Sequence, residues 1–381
     1  MVGAAACAAM LVLGCSWDYP VWPKNKKSDT ALFRFLIAQH NGAGYIDRNG
    51  KVVIQPTLDQ FWNNAGDDFF DGLAKIRVNQ ELWFIDATGR RVFRAHGYGR
   101  FSEGFASQTK DGKSGYVNRR GEFVVPPTFD SADEFSEGLA VVGMNRIYGY
   151  IGKDGSVAIP LNFSAAMAFS DGAARVIEQG NCLYVGYGPC AGLNPMVLPY
   201  DPQRKQTSDP PRCRYSYIDK TGRRLFENTY QDAKDFAEGL APVGDGKYWG
   251  YVDRKGSVAI PLRYDGAEPF SEGLARVRLR GKWGYIDKTG QFAIPATFDS
   301  ALDFSEGVAV VGDGPDRSWF VDKQGRQAIP GFFTSASSFA LGLAHVRVGH
   351  DYYSAKWSYI DRTGHAVFTY SDRSNSGRGR K

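Results

Sequence analysis

The chain is poor in the groups that perform chemistry. Among its 381 residues there are five cysteines, five methionines and five histidines. The histidines, His40, His96, His345, His350 and His365, are scattered. None forms a His-x-x-x-His pair or a His-Glu-x-x-His motif, the spacings that put two imidazoles on one helix face around zinc. Surface or turn positions are expected for all five. A Gly-x-Ser-x-Gly elbow is missing, as is any acidic loop with calcium-ligand spacing. Gly112-Lys113-Ser114 matches the end of a phosphate-binding loop, but Ser107 stands where the first glycine is required, and a hairpin turn is expected there. Long apolar runs are also lacking. The run over residues 2–13 is too short to cross a bilayer. Charge of one sign does not accumulate: the net charge of +5 is spread along the chain, with short basic concentrations at Lys24 to Lys27 and Arg378 to Lys381. Without a basic stripe these read as solvated tails, and no nucleic-acid partner is expected. No catalytic residues, cofactor or metal are expected either.

Glycine and aromatic residues are abundant: 45 glycines, and 25 Phe, 20 Tyr and 8 Trp. The glycines are spaced regularly. One series, following a Phe-x-Glu pattern, falls at Gly72, Gly104, Gly138, Gly172, Gly239, Gly273, Gly307 and Gly342. A second, closing an Asp-x-x-Gly pattern, falls at Gly50, Gly89, Gly121, Gly155, Gly222, Gly256, Gly290, Gly325 and Gly364. Both recur at about 34 residues, except for one double step, between Gly172 and Gly239 in the first series and between Gly155 and Gly222 in the second. Two markers with one period define a tandem repeat.

Residues 270–295 contain one clear copy. Leu274 to Leu279 alternates Ala275, Val277 and Leu279 with Arg276 and Arg278, the period of a strand. Arg280-Gly281-Lys282 is a turn, and Trp283 to Ile286 a second strand. Asp287-Lys288-Thr289-Gly290 suits a type I turn with a left-handed glycine, the aspartate bonding amides ahead of it. Phe292 to Ile294 is a third strand, which Pro295 is expected to end. A short fourth strand is expected near Phe298. Such a β-meander has too small a core to stand alone, so neighbours must stack.

Taken in order, residues 1–14 read as a signal peptide. Leu13-Gly14-Cys15-Ser16 resembles the lipobox of bacterial lipoproteins, which implies lipidation at Cys15. Residues 15–31 read as a tether and 32–370 as the repeat array. The array is interrupted by an insertion over 177–214, and 371–381 forms a polar tail. The insertion holds Cys182, Cys190 and Cys213. In an exported chain these imply one disulfide and a leftover thiol, with all three pairings open. It also holds Asp201, Arg204 and Lys205, to which nothing gives catalytic geometry. An inserted loop can lie on a binding face.

The carboxylates Glu103, Glu137, Glu238, Glu272 and Glu306 recur with the unit. They are therefore expected to cap backbone amides at the glycine corner, not to form a catalytic pair. The aromatics at one hairpin position, Trp249, Trp283, Trp357, Tyr148 and Tyr215, are expected in the core between repeats, with a sugar-binding ladder as the alternative. Trp249-Gly250 and Trp283-Gly284, with Phe-Ser-Glu-Gly-Leu-Ala and Tyr-Ile-Asp-x-x-Gly around them, resemble the WG-repeat (KWG) family of bacterial proteins over about residues 32 to 368. Ser114, Leu82 and Ser318 depart from the tryptophan, and Asn118 and Gly152 from the turn aspartate. The resemblance implies a β-rich, often exported scaffold.

The expected fold is all-β, a tandem array of β-meanders in an open curve, with a closed propeller-like toroid as the alternative. The expected function is a non-catalytic exported scaffold for protein or envelope interactions, the alternative being a carbohydrate or cell-wall-binding module. Partners would be a protein or a cell-wall glycan. Localisation would be periplasmic or at the outer membrane or cell surface. Membrane association would come only through an N-terminal lipid.

Overall fold

Asp287 sets the local geometry of a unit. Its Oδ1 accepts the backbone N–H of Thr289 at 2.9 Å and of Gln291 at 3.1 Å, and the Thr289 hydroxyl at 2.6 Å. Gly290 then takes φ +82°, a conformation open to glycine at little cost. The same turn recurs at Asp47, Asp86, Asp219, Asp253, Asp322 and Asp361. At Asp47, Asp86, Asp253, Asp287 and Asp361 it joins the second and third strands of a meander, and after Asp219 and Asp322 isolated bridges stand in place of the third strand.

The computed structural model describes residues 30, 32–37, 42–59, 68–79, 81–97, 99–178, 214–349 and 356–371. Among these residues every regular element is a strand. They form eight antiparallel sheets, one of which, six-stranded, holds two units, so nine units are described. In the unit analysed above the strands are Ala275–Leu279, Lys282–Ile286 and Phe292–Phe298. The short fourth strand exists but serves the next unit. After Phe298 the chain bends through Asp299 alone, and Ser300–Ala301 pairs with Gly312 and Val311 of the following sheet.

Pro295 does not end its strand. Trp283 pairs with Phe298 and Tyr285 with Ile294, so the third strand carries extra residues opposite Gly284 and bulges there. The proline sits in the bulge, where no ladder N–H is needed. This explains the glycine after tryptophan. A Cβ on Gly284 would lie 2.6–2.7 Å from Ala296 N, Ala296 Cα and Ile294 O. Gly115, Gly149 and Gly250 meet the same bulge backbone, next to Pro126, Pro160 and Pro261. In the last unit Ser358 replaces the glycine, and the third strand pairs across it without a bulge, Ser358 facing Thr369.

The core lies between sheets. Leu274, Tyr285 and Ile294 of one unit pack with Ala301, Phe304, Ala309, Val311 and Val321 of the next. The expected array of separate sheets is observed, and no sheet closes into a barrel. Its curvature brings the first sheet against the last, the contact that the toroidal alternative requires. Phe33, Phe35 and Ile46 share a cluster with Leu343 and Tyr359. The Tyr359 hydroxyl donates to the Arg34 carbonyl at 2.5 Å, across 325 residues of sequence. Both end units keep complete hairpins and meet side by side.

Two boundaries shift. Ala174–Glu178 pairs with Tyr215–Ile218, so Ile177 and Glu178 belong to a strand and the insertion begins after them. The last strand, Ala366–Ser371, includes Ser371, which pairs with Lys356. Residues 1–29 and 372–381 lie outside the described residues.

Gly284→Ala should destabilise the protein by about 1–3 kcal/mol, the usual cost of forcing volume into a packed site. Urea denaturation of the variant checks this. An unchanged midpoint would mean that the bulge yields freely.

Candidate functional site

Each hairpin tyrosine leaves its own sheet. The Tyr285 hydroxyl donates to the Leu302 carbonyl at 2.7 Å, and its ring centroid lies 4.8 Å from that of Phe304. Tyr116, Tyr150, Tyr217 and Tyr251 do the same toward Asp133, Met167, Lys234 and Glu268. Burial pushes the phenol pKa of Tyr285 far up, so the hydroxyl stays a donor.

The repeated carboxylates make a second link. Glu103, Glu137, Glu238, Glu272 and Glu306 all stand at φ of 53 to 57°. Each accepts the glycine N–H of the next unit: Gly138 to Glu103 at 2.9 Å, Gly307 to Glu272 at 2.8 Å, Gly342 to Glu306 at 3.0 Å. Lys153, Lys220 and Lys288 add ion pairs of 3.1–3.3 Å to Glu103, Glu137 and Glu238. The expected amide capping is therefore present, and the corner capped is the neighbour's.

A third set was not anticipated. Arg276, expected on the polar side of its strand, is buried against the next sheet. Its Nε contacts Asp303 at 3.0 Å, its Nη1 donates to the Ala301 carbonyl at 2.9 Å, and its Nη2 lies 3.7 Å from Glu268. Lys234 reaches the same Glu268 at 2.6 Å, and Arg175 reaches Asp235 at 2.7 Å. These cations also cover the half-buried aromatics: Arg276 lies 5.0 Å from the Trp283 ring centroid, Lys234 5.1 Å from Trp249, and Arg175 5.9 Å from Tyr215. The result is a belt of paired charges and rings running across successive units.

Elsewhere on the belt the pairing is looser. Glu134 has its carboxyl pushed up to about 7 by burial, against the pull of Arg100 and Lys75. Asp133 is exposed to solvent, yet the surrounding protein also raises its carboxyl. His345 is not at the surface. Its ring stacks on Trp357 at 4.6 Å and Tyr359 at 4.7 Å, and Nε2 lies 2.9 Å from the Tyr370 hydroxyl. Burial lowers its pKa to about 4. His96 and His365 are exposed, while His40 and His350 lie outside the described residues.

The sequence signal for the belt was position, not residue type. Lys75, Arg175, Arg276 and His345 each follow a buried alanine at the start of a unit's first strand, a place whose occupant changes while its neighbours repeat. Gly112-Lys113-Ser114 is part of a hairpin between Ala106–Lys110 and Lys113–Val117, as expected. No group of three or more metal-ligating side chains occurs among the described residues. Cys15, Cys182, Cys190, Cys213, Asp201, Arg204 and Lys205 fall outside them.

The arrangement is that of a tandem-repeat all-β protein whose units are locked to one another by side chains. Its sequence matches the WG containing repeat over residues 44–81, 115–146, 148–182, 215–248, 249–283 and 283–313. That is more than half of the chain, and the chain belongs to the WG-repeat family. No curated protein matches it in sequence. Among solved structures it is similar to the crystal structure of the eukaryotic initiation factor, at 11% identity, 89% of this chain and 95% of that chain, with a TM-score of 0.58. That likeness is one of fold. Weaker overlaps occur with dihydro-heme d1 dehydrogenase NirN in complex with DHE (11% identity, 93% and 75% covered, TM-score 0.45). BamB from Moraxella catarrhalis is weaker still (9% identity, 89% and 93% covered, TM-score 0.37).

The titrations of Glu134 and His345 act on stability with opposite sign over overlapping pH ranges. Glu134 has a folded pKa above its unfolded value, so its contribution is whole below about pH 4.5 and is lost as pH rises to about 7, by up to about 3 kcal/mol. His345 has a folded pKa below its unfolded value, so stability falls as pH drops from 6.5 toward about 4. Glu134→Gln should flatten the first window and leave the second. Chemical denaturation between pH 4 and 8 reads both, and a variant with the parent profile would contradict the assignment.

Proposed function

We propose that the protein is a non-catalytic scaffold, exported to the cell envelope, that holds a protein partner along its repeats. One observation carries this reading. The acids, cations and hydroxyls that repeat are used to join units, whereas a row of apolar side chains on the third strands recurs largely exposed, Phe292 also touching the Tyr264 ring. Phe123, Val157, Val258 and Phe292 occupy the same place in their units and are 39%, 56%, 55% and 37% exposed. A repeated apolar row on successive sheets suits an extended protein surface. Prolines in the bulges of these strands limit indiscriminate strand addition at the edges.

A carbohydrate-binding role is the second reading. It rests on Trp249, Trp283 and Trp357, which are half-buried. Cations already lie over all three rings, so a sugar would have to displace Lys234, Arg276 or Arg347. An enzyme is the least supported reading, because the recurring tyrosine hydroxyls and glutamate carboxylates are engaged in joining units.

Changing Phe123, Val157, Val258 and Phe292 together to lysine should alter stability by no more than about 0.5 kcal/mol per site, as surface changes do. The folded variant should fail to retain the partner captured by the parent from native envelopes. Retention would remove the apolar row from the proposal, and a tryptophan fluorescence response to cell-wall sugars would favour the second reading.

Export has its own test. Mass spectrometry of the mature chain should find an N-terminus at a lipid-modified Cys15. An unprocessed Met1 would overturn export and lipidation together.

A further inference from the structure

We propose that the outer rim of the first three units binds an acidic, extended segment of a protein partner, held by turn cations and by three exposed valines. This rests on the reading of the protein as a scaffold and names the partner's chemistry. In the interior of the array the cation directly after the first turn residue serves the architecture. Lys153, Lys220, Lys288 and Lys323 each pair with the corner glutamate of the preceding unit, at 3.1, 3.2, 3.3 and 3.8 Å. That pairing has no counterpart near the start of the chain. Arg119 holds the same place, but the corner before it is Asp71, one methylene shorter and bonded to the Gly104 N–H at 2.7 Å. Arg48 holds it too, and the last unit, packed beside the first, has Leu341 at its corner. Lys51 and Arg91 are further exposed cations flanking these turn glycines. Arg90, Arg94 and Arg120 meet Asp86, Glu81 and Glu122 of their own units, but all three arginines are more than half exposed. Such exposed pairs are weak and yield to another carboxylate.

Apolar surface accompanies the charge. Three residues past their turn glycines, Val53, Val92 and Val124 are 42%, 36% and 42% exposed. The corresponding residues of interior units are the smaller Ala158, Ala259 and Ala293. The residue after each valine, Ile54, Phe93 or Val125, packs into a cluster between sheets, so the valine faces outward. The three units present one surface. A Cβ on Gly89 would lie 3.2 Å from Ile54, and one on Gly121 would lie 2.5 Å from Phe93. Each turn therefore rests on the third strand of the unit before it. Arg90 is set beside the strand of Val53, and Arg119 and Arg120 beside the strand of Val92.

Charge and shape point to one kind of occupant. Stacked sheets lie about 10 Å apart, so the rim of three units spans about 20 Å, the length of about six extended residues. Alternating acidic and apolar side chains on such a segment would meet the cations and the valines in turn. A lipid surface fits less well. Elements that lie on membranes bury Trp, Phe or Leu. The outward residues here are valines, and the exposed Phe123 projects from the other side of its strand.

A short fluorescent peptide of alternating glutamate and valine, titrated into the full chain, tests the assignment. The parent should bind it, and binding should weaken as salt is raised. Lys51→Glu with Arg91→Glu and Arg119→Glu should weaken binding by about tenfold or more, because like charges then face each other. The same change of charge elsewhere, Arg223→Glu with Lys247→Glu and Lys255→Glu, should leave binding unchanged. Val92→Ser with Val124→Ser, which alters no charge, should weaken it severalfold. Circular dichroism and the urea midpoint show that each variant is folded. The proposal is overturned if the parent ignores the peptide, or binds vesicles of phosphatidylglycerol in its place. It is also overturned if the first variant binds the peptide like the parent, or if the control charge change weakens binding as much. The scaffold reading has its separate test in the four-lysine variant of the apolar row. Loss of the envelope partner there, with that partner kept by the Lys51, Arg91 and Arg119 variant, would leave the scaffold standing and remove the acidic segment.

Discussion

A tyrosine that abandons its own sheet for the next is the contact on which this architecture depends. Three or four short strands bury too little to be stable alone. The tyrosine answers this by placing its ring on the neighbour's phenylalanine and its hydroxyl on the neighbour's carbonyl, so burial and a hydrogen bond fall on the same interface. Where Phe84 and Phe320 take its place, the ring contacts with Phe101 and Phe339 persist without the hydroxyl. At the meeting of the ends, Tyr359 has no short strand with a following phenylalanine to receive it among the described residues. It bonds to Arg34 instead and packs on Phe33, which stands where the interior units carry a buried alanine. A larger side chain thus occupies volume that another strand fills elsewhere.

The remaining repeated residues follow from that packing. Within these sheets the third strand bulges opposite the hairpin glycine, and the bulge leaves no room for a Cβ, so glycine and proline recur together. The chain must also reverse tightly before each sheet, which places a glutamate in the left-handed region at a cost of about 1 kcal/mol or more. The carboxylate offsets that cost with a charge-assisted bond to the next glycine amide. Leu341 adopts the same backbone at φ +55° without a carboxylate, and it packs instead into the apolar cluster where the ends meet.

This division of labour bears on function. The tyrosines and glutamates that recur are committed to joining units, whereas the recurring apolar side chains of the third strands are left exposed. What distinguishes one unit from another is the residue after the buried alanine, the acid or base it meets, and the exposed side chains of the third strand. Arg276, Glu268 and Asp303 form a buried ionic relay that is satisfied in place, whereas Glu134 and Asp133 sit where protein crowds a carboxyl. A partner would read the varying positions presented on a rigid frame.

The repeat period, the strands of a unit, the aspartate turn and the role of the glutamates were legible in the sequence, because each depends on contacts within a few residues or on spacing that recurs. The burial of Arg276 was not, since alternation along a strand cannot say whether the polar side faces water or another sheet. His345 was misplaced for the same reason: its stacking partners come from two other strands. Pro295 suggested an end because a proline cannot serve a regular ladder, and only the pairing of Trp283 with Phe298 revealed a bulge. The meeting of the first and last sheets depends on small rotations accumulated over nine units, a quantity that no single unit's residues specify. Local chemistry therefore determined the unit, and tertiary packing decided which polar groups became buried partners and where the array ends.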